Sequence, residues 1–479
     1  MSEKTKSLKR FNAPALAGMW YTVSSVIERG SAIIFTPIYT RLLSPEEYGV
    51  YSVYLGFLGI VTVFGTLEIS GGAVYRGLKE FSDKENFISS SLGLITLSSA
   101  VSLLIYLIFS LRINKFTGLN TSLSLILFLQ VFLNGIRALK ISEAKFSYNK
   151  KLPLAEGIFF SAVVPILSVL LIMFFKDRRY ARIYASLTAS LAFGIPIAAS
   201  ILKKGRFRLF SKDVWKFLLK YALPSLPHYI SMSLIWQIGK IIVGNKFSSA
   251  EAGLLSLAIS VGLLPTLLTL GMQSALIPWI TRKLGDGEEG QQKIYMLITS
   301  VFFPLCLTVL LFLLICPELF SIMSGRDYIS ALKAVYPIAA SVPAVFLTNL
   351  FCAVISYYKK TYLVAVGSVS GAILTLFFNL LFTFRLGYLF SAFLILPIFI
   401  FMSITYAIIL KHKFSHFSLP SKRLFTTYFM FIFLVAIVIF LKNSFTARLF
   451  FCTAVIMMLL PKLKQLKPLY TENTMNSLT

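Results

Sequence analysis

Apolar stretches long enough to cross a lipid bilayer recur along the whole chain, and nothing else in the sequence restricts its fold as much. A spanning helix needs roughly twenty mainly apolar residues. Fourteen stretches qualify: 14–40, 48–70, 87–111, 120–140, 153–175, 181–202, 220–244, 251–274, 294–316, 332–357, 361–383, 387–410, 424–441 and the short 447–461. The longest polar loops between them fall at 71–86, 203–219, 282–293 and 317–331, too short to house a soluble catalytic domain. Charged residues make up 14% of the chain, against about a quarter in soluble domains. That is too little polar surface to dissolve a core of this size, so the expected fold is an all-α integral membrane protein. The basic opening "MSEKTKSLKR" leads into a long segment that carries Glu28 and Arg29 and lacks a small-residue cleavage site. It reads as a retained first helix and not as a signal peptide.

The net charge of +27 raises the question of a nucleic-acid partner. The basic residues sit in loops between apolar segments, with no polar domain to carry such a partner, and they read instead as topology signals and contacts to anionic lipid heads. With the N-terminus inside, inner segments hold 31 Lys and Arg and outer segments 14. Both ends are therefore expected in the cytoplasm. The outer loop "KDRRYAR" at 176–182 runs against this bias. The basic, aromatic stretch 203–219 is expected to lie along the cytoplasmic interface. Cys306, Cys316, Cys352 and Cys452 fall in apolar segments and read as small core hydrophobes. His412 and His416 lie in a basic loop without carboxylate or thiol neighbours, so neither a metal site nor a cofactor is expected.

The chain says one thing twice. "TRLLSPEEYGVYS" from Thr40 and "NKFSSAEAGLLS" from Asn245 align at an offset of 204. Ser44 meets Ser248, Glu47 meets Glu251, Gly49 meets Gly253 and Ser52 meets Ser256. Both copies sit on outer turns, first helix to second and seventh to eighth. Six spans separate them, so the halves are expected to point the same way, related by an axis along the membrane normal. Ser followed three residues later by Glu is a capping-box spacing, and the glycines permit close helix approach. The expected architecture is a six-helix bundle over 1–202, an amphipathic linker over 203–219, a second six-helix bundle over 220–410 and a two-helix tail over 411–479.

Polar residues inside spans are costly and tend to face cavities. At 100° per residue, Gly18, Thr22, Ser25, Arg29 and Thr36 share a stripe on the first helix, and Ser233, Gln237, Lys240 and Gly244 share one on the seventh. The offset of 204 carries Arg29 onto Ser233 and Thr36 onto Lys240. Gln130, Asn134 and Arg137 align on the fourth helix. Gln273 and His228 add polar groups in the second half, and Arg76 lies at the inner mouth. Of these, Arg29, Ser233, Gln237, Lys240, Arg76, Arg137, Gln273 and His228 are the candidate substrate-binding groups, while Glu28, Glu68 and Glu156 are candidates for coupling to H⁺ or Na⁺. Each has a plainer reading: ion pairing between helices for Glu28, snorkelling for Lys240 and Arg137, interhelical hydrogen bonding for Gln130, Asn134 and Gln273, and a satisfied polar group at a bend for His228. No phosphate-binding loop and no nucleophile–His–acid set is present, so no catalysis is expected.

"TPIYTRLLSPEEYGVYS" (Thr36 to Ser52) and "GNKFSSAEAGLLSLA" (Gly244 to Ala258) resemble the polysaccharide-biosynthesis flippase family. That family includes the Wzx-type O-antigen flippases of the multidrug/oligosaccharidyl-lipid/polysaccharide (MOP, MATE-like) exporter superfamily. The resemblance implies an inverted-V pair of bundles in the bacterial inner membrane. It implies movement of an undecaprenyl-diphosphate-linked sugar unit from the cytoplasmic to the outer leaflet, with a polymerase and a chain-length regulator as partners in the pathway. It also implies that basic cavity residues receive the diphosphate, a role carried onto Arg29, Lys240, Arg76 and Arg137. The copies differ, with Asn245 where the first has Arg41 and Ala250 where it has Glu46. The competing readings are a cation-coupled multidrug exporter of the same architecture, a membrane polymerase, which would want a large outer loop, and a scaffold, which leaves the matched stripes unexplained.

Overall fold

The computed structural model describes residues 3–358, 360–413, 421–451 and 453–454, without the side chains of residues 3–19, Thr22, Ser25, Arg29, Ser421 and Lys422. Among the described residues every regular element is helical. The first half runs α1 (Glu3–Leu42), α2 (Pro45–Thr66), α3 (Ala73–Glu80), α4 (Lys84–Ile108), α5 (Ser110–Thr117), α6 (Thr121–Phe146), α7 (Lys151–Phe174) and α8 (Ala181–Lys204). A connecting helix, α9 (Lys212–Ala222), leads to α10 (Leu226–Lys246), α11 (Ser249–Gly262), α12 (Thr266–Lys283), α13 (Gly287–Met323), α14 (Leu332–Ala340), α15 (Val342–Tyr357) and α16 (Thr361–Phe378). A π-helical turn over Asn379–Thr383 and a last turn, α17 (Phe384–Leu386), precede α18 (Tyr388–Lys413) and α19 (Ser421–Phe440). Ten helical stretches among the described residues are long and apolar enough to cross a membrane, so the chain is a multi-pass membrane protein.

The helices depart from the apolar runs wherever hydropathy is blind to backbone geometry. The second helix ends at Thr66 and not at 70, because Leu67 and Glu68 take φ of 51° and 47°. Such left-handed residues cannot continue a right-handed helix. The eighth run is broken after Gly262, and the chain resumes as α12 behind Pro265, which lacks the N–H that a continuous helix needs. The tenth breaks at Ser341, ahead of Pro343. The ninth is far longer than 294–316, since polar residues from Gly287 extend α13 at its start. The span expected at 447–461 lies mostly outside the described residues.

Within the first half α1 packs on α7, α7 on α8, and α6 on α2, α4 and α8. Gln130 ties three of these together: its side-chain oxygen accepts from Tyr54 Oη at 2.6 Å and its amide donates to Ser186 Oγ at 3.0 Å. The residue is 1% exposed, which makes it the interhelical glue of the plainer reading. In the second half α10 packs on α16, α15 and α16 pack on α18, and α14 lies between α11 and α18. α9 is amphipathic and docks on α3 and α4, with Val214 and Leu218 buried and Trp215 Nε1 donating to the Ser90 carbonyl at 2.9 Å. α19 packs on α13 and α14, and its Tyr428 Oη donates to the Ala340 carbonyl at 2.9 Å.

The two halves meet most extensively through α2 and α11, the helices that open with the repeated turns. A Cβ built on Gly49 would fall inside the Ser249 carbonyl, and one built on Gly253 inside the Pro45 carbonyl. The offset of 204 turns Gly49 into Gly253 and Pro45 into Ser249, so the contact maps onto itself when the halves are exchanged. The same reciprocity holds for backbone nitrogens: Gly253 N lies 3.0 Å from the Gly49 Cβ position, and Gly49 N lies 3.1 Å from that of Gly253. The copies are not identical. Ser44 and Glu47 form a complete capping box, with Glu47 N donating to Ser44 Oγ and Ser44 N to Glu47 Oε2. Ser248 caps Glu251 N at 3.2 Å, but the Glu251 carboxylate reaches across to accept from Tyr388 N at the start of α18.

Candidate functional site

Charged groups converge where α1, α6 and α7 pack. Arg137 on α6 points its Nε at Glu156 Oε1 of α7 over 3.2 Å, and its guanidinium lies 4.3 Å from the Phe160 ring centre. Glu28 on α1 and Lys145 near the end of α6 are the other charges acting on Glu156. α1 is held there by Ser24 Oγ, which donates to the Pro153 carbonyl at 2.8 Å. Sequence reading gave Arg137 to the substrate and Glu156 to the coupling ion. The structure brings them together as one half-buried pair, with Glu28 exposed beside it. The side chain of Arg29, next to Glu28, lies outside the described residues.

Arg76 on α3 is exposed, and its guanidinium lies 4.9 Å over the ring of Tyr221 on α9. Glu68 sits in the left-handed break after α2, with Tyr229 of α10 as its neighbour. Gly71 accommodates the Tyr229 hydroxyl, which would lie 3.0 Å from a Cβ there.

The polar stripe expected on α10 divides between two neighbours. Gln237 rests against Gly59 of α2, where a Cβ would lie 3.2 Å from its amide nitrogen, and Gly244 packs against Val53. Lys240 turns the other way, into a pocket lined by α10, α11, α16, the π-helical turn and α18. Three residues on at 100° each leave a side chain 60° behind its predecessor. That angle moves Lys240 off the face that meets the first half and onto one that looks into the second. Ser233 is half-buried between these directions. His228 Nδ1 lies 3.0 Å from Ser368 Oγ of α16, and Gln273 accepts from Asn349 Nδ2 of α15 at 3.4 Å. Both tie helices together within the second half.

Two groups escaped sequence reading. Arg182, counted with the anomalous basic loop, lies over the rings of Tyr39, Tyr48 and Tyr51 at 4.1, 4.9 and 4.0 Å. Its neighbour Arg178 donates to the Leu42 carbonyl at 3.4 Å, and Arg179 pairs with Asp177. Arg178, Arg179 and Arg182 of this loop are thus engaged with the protein itself. The second group is Asn379, Thr383 and Ser391, buried beside Lys240. The signal that could have found them is a run of small polar residues, Thr375, Asn379 and Thr383, at intervals of four inside an apolar stretch.

This helical chain, which crosses a membrane many times and whose two repeats grip each other at paired turns, has the MOP fold. The fold is similar to that of the lipid II flippase MurJ in an inward closed conformation, with a TM-score of 0.69 at 13% identity over 92% of this chain and 97% of that one. An inward-facing multidrug resistance MATE family transporter matches at 0.60 and 13% identity over 81% and 95%, and a MOP superfamily transporter from Pyrococcus furiosus at 0.57 and 14% over 89% and 96%. By sequence the chain belongs to the polysaccharide biosynthesis protein family, which it matches over residues 17–284. It is 21% identical over 369 residues to the Lsg locus protein 1 of Haemophilus influenzae, covering 74% of this chain and 87% of that one.

Proposed function

We propose that the protein is a flippase, not an enzyme, which moves an undecaprenyl-diphosphate-linked oligosaccharide from the cytoplasmic to the outer leaflet of the bacterial inner membrane. Its two six-helix bundles alternate access to a cleft between them, with both termini cytoplasmic and fourteen spans in all, and an ion gradient or the membrane potential drives the cycle. The reciprocal Gly49–Gly253 crossing carries this reading. It is a tight, self-matching contact at one end of two repeats, the form a gate takes when two like bundles rock against each other.

A diphosphate cannot cross roughly 30 Å of hydrocarbon unaided. Cationic side chains lower the cost of bringing it into a cleft. Arg29, Arg137 and Arg76 are the basic groups that the first half offers, while the polyprenyl tail stays in lipid. Glu156 holds Arg137 until the diphosphate displaces it, which joins cargo binding to the freeing of a carboxylate able to take an ion. Glu28 and Glu68 are the other acidic candidates for that ion.

The reading is tested by binding. Purified protein in nanodiscs should be stabilised by an undecaprenyl-diphosphate sugar at least tenfold more effectively than by the monophosphate, and Arg29→Ala and Arg137→Ala should each erase that preference. Equal stabilisation by both lipids, or stabilisation by organic cations alone, would favour the drug-exporter alternative.

A further inference from the structure

Each repeated turn also caps the end of a helix from the opposite half. An α-helix leaves its last four carbonyls without partners of its own. At the end of α13, Arg41 Nη2 donates to the Ile322 carbonyl at 3.0 Å and Thr40 Oγ1 to the Met323 carbonyl at 3.1 Å. Arg41 Nη1 donates back to the Pro37 carbonyl at 2.8 Å, which fixes the guanidinium between the two halves. The exchange runs both ways. Tyr328 Oη, just past α13, donates to the Leu43 carbonyl at 2.9 Å, and its ring meets that of Tyr48 edge-on at 5.9 Å. Gly325 allows the approach, since a Cβ there would lie 2.2 Å from the Thr40 carbonyl oxygen.

The second turn repeats the device in a weaker form. The offset of 204 carries Arg41 to Asn245, and Asn245 Nδ2 donates to the carbonyl of Phe116 in the last turn of α5. The same offset carries the end of α5 from Thr117 to Ser321, two residues short of the end of α13 at Met323. A position at which the copies differ is therefore a cap across the halves in both. Gly118, left-handed with φ of 68°, ends α5 beside Asn245. The caps differ in what surrounds them. Tyr328 is fully buried and Thr40 is 4% exposed, whereas Asn245 and Phe116 are exposed. Parting a buried hydrogen bond strands both groups, while water takes over an exposed one.

We propose that these caps are two unequal clasps across the halves, and that the Asn245–Phe116 clasp releases before the one built on Thr40, Arg41 and Tyr328. The proposal rests on the alternating-access reading, because both clasps flank the Gly49–Gly253 crossing and part when that end opens. It adds an order to the opening: the flank of α5 and α10 parts first, and the flank of α1 and α13 serves as the hinge.

The test is the distance across each flank, measured by pulsed electron paramagnetic resonance on the full chain in nanodiscs. No cargo is added, so the distances do not depend on what the chain carries. Nitroxides on encoded non-natural residues in place of Lys115 and Lys246 report the first flank, and in place of Glu46 and Arg326 the second. All four positions are exposed, and the native cysteines stay in place. Asn245→Ala should raise the population of a longer 115–246 distance about two- to tenfold over wild type and leave the 46–326 pair unchanged. Tyr328→Phe keeps the ring and removes the donor. It should lengthen both pairs, since the weaker clasp does not hold the end alone. No change at the 115–246 pair in Asn245→Ala, a lengthened 46–326 pair in that variant, or a Tyr328→Phe protein that lengthens only the 46–326 pair overturns the assignment.

Discussion

Gly49→Ala and Gly253→Ala should each slow transport about ten- to a hundredfold, and by similar amounts, while Gly72→Ala and Gly271→Ala stay within about twofold of wild type. A methyl group at Gly49 or Gly253 meets a backbone carbonyl, Ser249 or Pro45, and not a side chain that can rotate aside. Overpacking against movable side chains costs about 1–3 kcal/mol, and each 1.4 kcal/mol is tenfold in the population of the closed state. Gly72 and Gly271 have nothing within 4 Å of a built Cβ, so they control for mere loss of glycine. The likeness of the two effects is the sharper expectation, because it follows from the contact mapping onto itself. Unimpaired transport by both variants would mean that the crossing is not a gate. The readout is the initial rate of headgroup translocation in vesicles at matched protein content.

Arg137→Ala and Glu156→Ala should act in opposite directions on cargo binding. Removing Arg137 takes away a cation and leaves Glu156 half-buried with Glu28 as its acidic neighbour. Breaking a fully buried pair costs about 3–5 kcal/mol and an exposed one about 0–1. A pair between these limits points to a stability loss of about 1–3 kcal/mol, while the lost charge-assisted contact should lower diphosphate-lipid affinity roughly tenfold or more. Removing Glu156 frees the guanidinium, so affinity should rise about three- to tenfold, yet turnover should fall because release then becomes slow. Glu156→Gln keeps the shape and should follow Glu156→Ala in affinity. Equal losses of affinity in both single variants would mark the pair as scaffolding. Lipid binding and single-turnover flipping measured on the same preparations separate the two outcomes.

Apolar run length was enough to read an all-helical, multi-pass fold, since a bilayer-crossing helix needs roughly twenty apolar residues. The breaks in the helices were hidden. The turn of backbone at Leu67 and Glu68 leaves no mark in hydropathy, and Pro265 and Pro343 look the same in sequence as Pro165, which a continuous α7 accommodates. The repeat at Ser44 and Ser248 was legible because a cap, a glycine and their spacing are local. Its meaning as a contact between the halves was not, because Gly49 and Ser249 lie two hundred residues apart. The same limit applies to the charged groups. Periodicity places Arg137 and Glu156 on faces of their own helices but does not say that those faces meet. It also puts Gln237 and Lys240 in one stripe, although 60° of azimuth gives them different neighbours. Arg182 went unnoticed because loop counting weighs a basic residue by sign and location, while its three tyrosine neighbours come from α1 and α2.

Reconstitution into liposomes with a fluorescent undecaprenyl-diphosphate sugar, followed by a membrane-impermeant quencher, decides most directly what the chain moves. The account predicts that wild type moves the headgroup between leaflets within the assay, at least tenfold faster than protein-free vesicles and than the Arg137→Ala protein. A headgroup that stays in its original leaflet, in vesicles where the same protein expels a fluorescent organic cation, would contradict it.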